Sequence, residues 1–295
     1  MQAAYLVSDD LGSSLAERWF TTPRRYARPA RESALLASAT PFSVSVSLRS
    51  PHAHGSRVSV AAWRWGHGPT ALLVHGWEGR GSQLASFVEP LVRAGMSVVA
   101  FDAPAHGDSP GSRLYLTDLA DAVIDVASAI GPVHAILAHS FGCAAVLLAH
   151  ARGGVDAPRN VMVAPNAVVD DSVAHFASAL GLDAIDRAAL ESEIAAHAGV
   201  PLASLRLDLL AAGRDAGLLI LHDRDDREVP VRQAERLAAV WPQAQIHITD
   251  GLGHRRILRD PSALSLGAAF AAHGLRPPAS PLVREVDRLL APDWP

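Results

Sequence analysis

Ala135-Ile-Leu-Ala-His-Ser-Phe-Gly142 is the most informative segment of this sequence. A short apolar run leads into Ser140, and residues 143–151 continue with helical spacing. A sharp turn from a strand into a helix lifts one side chain clear of a sheet, and the positions two before and two after it must be small. Ala138 and Gly142 meet this requirement, although Ala stands where such turns usually carry Gly. The segment predicts an exposed nucleophilic serine, with a serine that only caps the helix as the alternative.

Short apolar runs bounded by Gly, Pro, Asp or His recur on both sides of this segment. They predict buried parallel strands at Ala71–Val74, Ser97–Phe101, Ala135–Ala138, Val161–Ala164, Leu218–Leu221 and Ile246–Ile248. Helical spacing separates them at Gln83–Ala94, Asp118–Ile130, Cys143–Ala151, Arg232–Val240 and Ala263–Ala272. Before them, residues 42–48 and 58–65 alternate with period two and predict a pair of half-buried strands. The pattern predicts an α/β fold with a mostly parallel central sheet covered by helices on both faces.

The domain organisation follows from where this alternation holds. Residues 41–165 and 213–275 form the predicted α/β core. The connection between them is longer than the ~10–15 residues of a crossover helix and has helical spacing, so residues 166–212 predict a small helical cap. Residues 1–40 predict an N-terminal helical extension that is interrupted by prolines after its first helix. Residues 276–295 predict a proline-rich linker and a short C-terminal helix.

The composition excludes several classes of function. All 26 basic side chains are Arg, so Schiff-base lysines, phosphate-loop lysines and Ser-Lys pairs are excluded. A net charge of −4 and scattered Arg residues argue against a nucleic-acid partner. Cys143 is the single cysteine, and His52 and His54 have no third ligand nearby in sequence, so we expect no metal. The early glycines lack the spacing of a dinucleotide-binding loop, and we expect no cofactor.

The sequence also bears on location. No apolar run reaches the roughly 20 residues of a transmembrane helix, so we expect no membrane span. Asp9 and Asp10 stand where a signal peptide would carry basic residues. These features predict a cytoplasmic protein, while the oligomeric state stays open.

Several segments together resemble the α/β-hydrolase family, in the order in which that family carries them. They are Ala71-Leu-Leu-Val-His-Gly-Trp77, Ser97-Val-Val-Ala-Phe-Asp-Ala-Pro-Ala-His-Gly-Asp-Ser109, the turn at Ser140, Leu218-Leu-Ile-Leu-His-Asp-Arg-Asp-Asp-Arg-Glu-Val-Pro230 and Gly251-Leu-Gly-His254. The resemblance spans about two-thirds of the chain and implies the hydrolase fold. It also implies that the backbone N–H groups of Trp77 and Phe141 form an oxyanion hole.

A serine hydroxyl needs a neighbouring base that titrates near neutrality, and imidazole is suited to that role. Of 14 histidines, His254 follows the last predicted core strand in a glycine-containing loop at the carboxyl edge of the sheet, so it is the predicted base. We expect the side chain of His139 to point away from Ser140, and His222 to be structural. The resemblance implies that Asp226, four residues before a proline, is the acid that orients the base, and Asp225 is the alternative.

These residues predict a serine hydrolase that cleaves a small carboxylic ester or thioester through an acyl-enzyme intermediate. Lactones and small amides stay open as substrates, because the same groups serve them. Dehalogenases and epoxide hydrolases of the family are disfavoured, since they carry Asp at the position of Ser140. The alternative function is a non-catalytic or weakly catalytic protein that binds a small molecule on the same fold.

Overall fold

The structure, a computed structural model, describes residues 9–275 and is built around one eight-stranded sheet. Its strands are β1 (Thr40–Ser47), β2 (Arg57–Trp65), β3 (Thr70–Val74), β4 (Ser97–Phe101), β5 (Val133–His139), β6 (Arg159–Val163), β7 (Gly217–Asp223) and β8 (Ala244–Thr249). The order across the sheet is β1-β2-β4-β3-β5-β6-β7-β8. The pairs β1–β2 and β2–β4 are antiparallel, and every other pair is parallel. The predicted α/β class with a mostly parallel sheet is therefore confirmed.

Eleven α-helices connect and cover the strands within residues 9–275. They are α1 (Asp9–Thr21), α2 (Ala30–Ala37), α3 (Val88–Arg93), α4 (Leu116–Ile130), α5 (Phe141–Ala151), α6 (Val169–Ala179), α7 (Ala184–Ala198), α8 (Leu207–Leu210), α9 (Arg232–Val240), α10 (Gly253–Arg256) and α11 (Pro261–Ala271). Short 3₁₀ helices occupy Gly81–Phe87, Leu202–Ser204 and Ile257–Arg259. None of the helices in this part of the chain combines the length and apolarity that crossing a bilayer requires.

The central strands are buried on both faces, which explains why their sequences are apolar at every position. In β3, Leu72 and Val74 belong to the core that contains α4 and α5. Ala71 and Leu73 belong to the opposite core, which contains α3 and α11. Successive side chains of a strand point to opposite faces, so a strand between two helical layers needs apolar residues in both sets.

The last strand departs from the prediction. Its segment was expected to be a buried strand, but β8 lies at the edge of the sheet and pairs only with β7. All of its residues are exposed or half-buried, and the side chain of Ile246 is 41% exposed. The expectation of a buried strand was wrong here, because a short apolar run does not indicate whether a strand has one neighbour or two.

Two segments outside the alternating pattern lie next to each other. α1 packs against α7, which belongs to the connection between β6 and β7. That connection also contains α6, the 3₁₀ helix at Leu202–Ser204 and α8. The sequence did not predict α2, which begins directly after Pro29, a residue with the extended backbone that suits a helix N-cap. The predicted linker and helix at 276–295 lie outside the described residues.

Candidate active site

Ser140 occupies a strained turn between β5 and α5. Its φ of 52° and ψ of −119° lie in a region that residues other than glycine rarely adopt. The turn is held from both sides, because the N–H of Ser140 donates to Val163 O at 2.9 Å and the N–H of Cys143 donates to Ser140 O at 2.9 Å. The Ser140 side chain makes no capping hydrogen bond to the described first turn of α5. The hydroxyl is therefore not used as a helix cap.

The backbone around this turn is packed too closely for a larger residue at position 142. A Cβ atom on Gly142 would lie 2.5 Å from His75 O and 2.6 Å from Val74 O, and backbone atoms of a central strand cannot move aside. Ala138, two residues before Ser140, is fully buried in β5 beside Val74. One methyl group is accommodated at that position, so the departure from the usual glycine is compatible with the turn.

His254 and Asp226 are brought together by the loops that follow β8 and β7. Nδ1 of His254 lies 2.7 Å from Oδ2 of Asp226, and both residues are buried. A carboxylate oxygen only accepts hydrogen bonds, so Nδ1 carries the proton. The lone pair is then on His254 Nε2, which lies 3.9 Å from Glu228 Oε2 and can accept a proton.

The carboxylate of Asp226 is held by three hydrogen bonds and a longer contact with His222. Its Oδ1 accepts the backbone N–H groups of Glu228 at 2.8 Å and Val229 at 2.9 Å. Its Oδ2 accepts from His254 and also lies 3.4 Å from Nε2 of His222, whose shorter hydrogen bond is to Val229 O at 2.9 Å. Burial alone would raise the pKa of Asp226, but the hydrogen bonds from His222 and His254 outweigh it and hold the pKa below its usual range. Asp226 is therefore ionised at neutral pH.

The two neighbouring aspartates make different contacts. Asp223 Oδ2 accepts from Thr249 Oγ1 at 2.7 Å and from the N–H of Leu252 at 3.0 Å. Asp225 Oδ2 accepts the N–H of Gly251 at 2.9 Å. Both carboxylates thus hold the loop that leads to α10. Of the three aspartates, Asp223 and Asp225 hold the loop, and Asp226 contacts His254.

His139 makes a contact with His254 that the sequence did not predict. Its ring centroid lies 4.6 Å from that of His254, and its Nε2 lies 3.0 Å from His254 O. The side chain of His139 was expected to point away from Ser140, but it still lines the same cavity and packs against His254. Burial lowers the pKa of His139 to about 3, so the ring is neutral and donates from Nε2 to the carbonyl of His254.

Two further neutral histidines hold the loop that follows β3. His75 Nδ1 lies 2.7 Å from Gly76 O, and the N–H of Glu78 donates to His106 Nε2 at 3.1 Å. Burial lowers the pKa of His75 to about 3 and that of His106 to about 4. Since a trans peptide points its N–H opposite to its C=O, the bond at Gly76 O fixes the direction of the Trp77 N–H.

These groups open onto one cavity of about 840 Å³. Ser140, Phe141, Trp77 and His254 all line it, while Asp226 lies behind His254. The rings of Trp77 and Phe141 pack edge to face with centroids 5.6 Å apart. Within residues 9–275 we find no group of three metal-ligating side chains. The arrangement can present a hydroxyl nucleophile, a base and backbone donors to a substrate in one cavity.

Sequence reasoning missed the residues that support this arrangement. His106 lies in the segment from Ser97 to Ser109, and His222 was expected only to be structural. Nothing in the sequence spacing indicated the partners of either histidine. Glu78 is bound by Arg24, a residue 54 positions away in the N-terminal extension. Such contacts depend on the folded path of the chain, so no local pattern could have predicted them.

The family model described as "Alpha/beta hydrolase family" matches residues 71–265. Among solved structures, a bacterial membrane phospholipase A is similar with 21% identity and a TM-score of 0.60, covering 82% of this chain and 88% of that one. An esterase of Pyrococcus furiosus has 17% identity and a TM-score of 0.58, covering 81% and 91%. A bromoperoxidase of Bacillus anthracis has 14% identity and a TM-score of 0.57, covering 78% and 99%. At these identities the likeness establishes the fold alone.

Proposed function

Because this chain belongs to the α/β hydrolase family, we propose that it is a serine hydrolase that cleaves carboxylic esters or thioesters. The observation that carries the proposal is that Ser140, in its strained turn, and His254, tied to Asp226, line the same cavity. An imidazole whose other nitrogen is held by a carboxylate can activate a serine hydroxyl that faces the same cavity. The esterases and phospholipase among the similar structures agree with this reaction class.

The proposed reaction begins with attack of Ser140 Oγ on the acyl carbon, as its proton passes to His254 Nε2. The carbonyl oxygen becomes an oxyanion, which the N–H groups of Trp77 and Phe141 stabilise. His254 then gives its proton to the departing alcohol or thiol, leaving an acyl group on Ser140. Water, deprotonated by the same imidazole, releases the acid and restores the serine. Asp226 stays ionised throughout and stabilises the imidazolium.

The fixed loop at Gly76 supports the assignment of Trp77. Its N–H direction is set before substrate arrives, because His75 holds the preceding carbonyl. Phe141 supplies the second N–H from the first residue of α5, where backbone donors lack partners within the helix. Donors that need no reorganisation stabilise developing negative charge most effectively, and losing one typically costs about 10²–10³ in kcat.

Turnover of a panel of aryl esters and acyl thioesters tests the proposal. We expect the wild-type protein to hydrolyse members of the panel, and Ser140→Ala and His254→Gln to lose at least about 10³ in kcat. Ser172→Ala is the matched control, because Ser172 also lines the cavity. Binding of these compounds without turnover by the wild-type protein would favour the alternative of a binding protein.

A further inference from the structure

The N-terminal segment formed by residues 17–24 contributes a continuous stretch of the cavity wall. Every residue from Trp19 to Arg24 lines the cavity that contains Ser140. The segment is anchored at Glu17, whose buried carboxylate accepts from Arg113 Nη1 at 3.2 Å and from the hydroxyl of Tyr115. The N–H of Leu114 donates to Thr21 O at 2.9 Å. A segment bound at both points holds its side chains in fixed positions over the site.

The aromatic residues of this segment meet the helices between β6 and β7. Phe20 lies 5.0 Å from Phe176 of α6, and Trp19 meets the same ring edge to face at 6.0 Å, both between ring centroids. Phe20 and Phe176 both line the cavity. Further apolar residues that line the cavity are Leu114, Leu116, Leu180, Ile194, Leu202 and Leu205. The cavity volume is in the range of about 300–1,000 Å³ that accommodates drug-sized molecules, far more than an acetyl group requires.

Arg24, at the other end of the segment, binds the loop that carries the proposed donor Trp77. Its Nε donates to Glu78 Oε1 at 2.8 Å and its Nη2 donates to Oε2 at 3.0 Å, while its backbone N–H donates to Oε1 at 3.2 Å. Glu78 has a φ of 53°, a left-handed conformation that costs free energy in a residue other than glycine. The paired geometry of a guanidinium and a carboxylate restrains orientation as well as position. Arg24 thus stabilises the loop conformation next to the Trp77 N–H.

We propose that the N-terminal segment completes the active site, with Phe20 and Phe176 closing a subsite for an apolar acyl chain of several carbons and Arg24 positioning the oxyanion loop. This inference rests on the proposed function, and it names the substrate class as medium-chain acyl esters. Phe20 determines specificity by contact with the end of the chain. Arg24 is a positioning residue that acts through Glu78, without touching the substrate.

Hydrolysis of p-nitrophenyl acetate, butyrate, octanoate, decanoate, laurate and palmitate tests the role of Phe20. We expect kcat/KM of the wild-type protein to rise from acetate towards octanoate and to fall for chains that meet the Phe20–Phe176 contact. In Phe20→Ala the optimum moves to chains about two carbons longer, and the ratio of kcat/KM for the longer ester to kcat/KM for acetate rises by at least about tenfold. Phe20→Leu and Phe176→Leu are milder variants that shift the profile in the same direction. Phe42→Leu, a half-buried phenylalanine of β1 outside the cavity, leaves the profile unchanged.

The same ester series tests Arg24 through a different readout. We expect Arg24→Gln to lower kcat by about tenfold for every chain length with little change in KM, because the oxyanion forms only in the transition state. Arg93→Gln, which breaks the exposed pair with Glu89, leaves kcat unchanged. If the wild-type enzyme is active but folded Phe20 variants keep its chain-length profile, the inference is overturned and the proposed function stands. The same holds if Arg24→Gln leaves kcat unchanged. A wild-type protein that hydrolyses none of the esters would overturn the proposed function instead.

Discussion

His254 Nδ1 lies 2.7 Å from Asp226 Oδ2, at the meeting point of two loops that follow neighbouring strands. The residues are 28 positions apart in the chain, yet the register of β7 with β8 brings the ends of these strands together. The contact fixes the tautomer of the imidazole and leaves Nε2 as the acceptor. Much of the proposed chemistry follows from this one hydrogen bond, since without it the base has no set orientation.

Asp226→Asn removes the charge while keeping the size of the side chain. We expect kcat for ester hydrolysis to fall by about 10³–10⁴, because the amide no longer selects the imidazole tautomer with a proton on Nδ1 or stabilises the imidazolium. Steady-state kinetics of the folded variant measures the effect. Asp225→Asn is the matched control, since its amide oxygen can still accept the N–H of Gly251. A larger loss in Asp225→Asn than in Asp226→Asn would reverse the assignment of the acid.

His139 offers a test of how the base is supported. His139→Leu removes the donor to His254 O, so we expect kcat to fall by about tenfold with KM little changed, as the imidazole becomes less well positioned. His139→Gln retains an N–H donor of similar reach and should recover most of the loss. Kinetics of both variants on one ester, with their melting temperatures, separates positioning from unfolding. Equal activity of the Leu and Gln variants would contradict this role.

The turn at Ser140 depends on Gly142. In Gly142→Ala the new Cβ meets two backbone carbonyl oxygens, and we expect a loss of about 2–3 kcal/mol in the free energy of unfolding together with most of the activity. Ala138→Gly, two residues before the serine, introduces no clash and should keep activity within a few-fold while lowering stability by about 1 kcal/mol. Urea unfolding and ester turnover measure both effects. A Gly142→Ala protein with unchanged stability would show that the turn is less tightly packed than described.

The stability of the protein should depend on pH through Asp118. Burial raises the pKa of this carboxyl to about 6 from its ordinary value of 3.8. A group with a raised pKa in the folded state contributes stability that is fully present below pH 3.8 and is lost as the pH rises through 6. We expect the free energy of unfolding of Asp118→Asn, relative to that of the wild type, to be on the order of 2 kcal/mol higher at pH 7.5 than at pH 3.5. Urea unfolding of both proteins at the two pH values measures it, and a difference that does not vary with pH would refute it.

The sequence predicted the sheet and the turn at Ser140 because both follow from local rules. An apolar run of four or five residues between helical segments indicates a buried strand, and small residues two positions before and two positions after a serine indicate a sharp turn. The prediction of a buried strand was wrong for β8, because burial depends on the number of neighbouring strands. The helix α2, whose N-cap is a proline, was not predicted.

Part of the candidate site could also be predicted from the sequence. His254 and Asp226 could be named because the family order and a proline spacing select them. The choice between Asp225 and Asp226 needed coordinates, since both follow the same strand and only the path of the loop decides which carboxylate contacts the imidazole. The contacts of His139 and Arg24 could not be predicted from the sequence, because each contact joins segments that meet only in the complete fold.

The location of a fluorophosphonate adduct shows directly whether Ser140 is the nucleophile. Cleavage after Arg113 and Arg152 releases residues 114–152, a fragment that contains both Ser128 and Ser140. Tandem mass spectrometry of the labelled protein should find one adduct, on Ser140, and the label should be absent from Ser140→Ala and greatly reduced in His254→Gln. An adduct on another residue, or label retained in full by Ser140→Ala, would contradict the account.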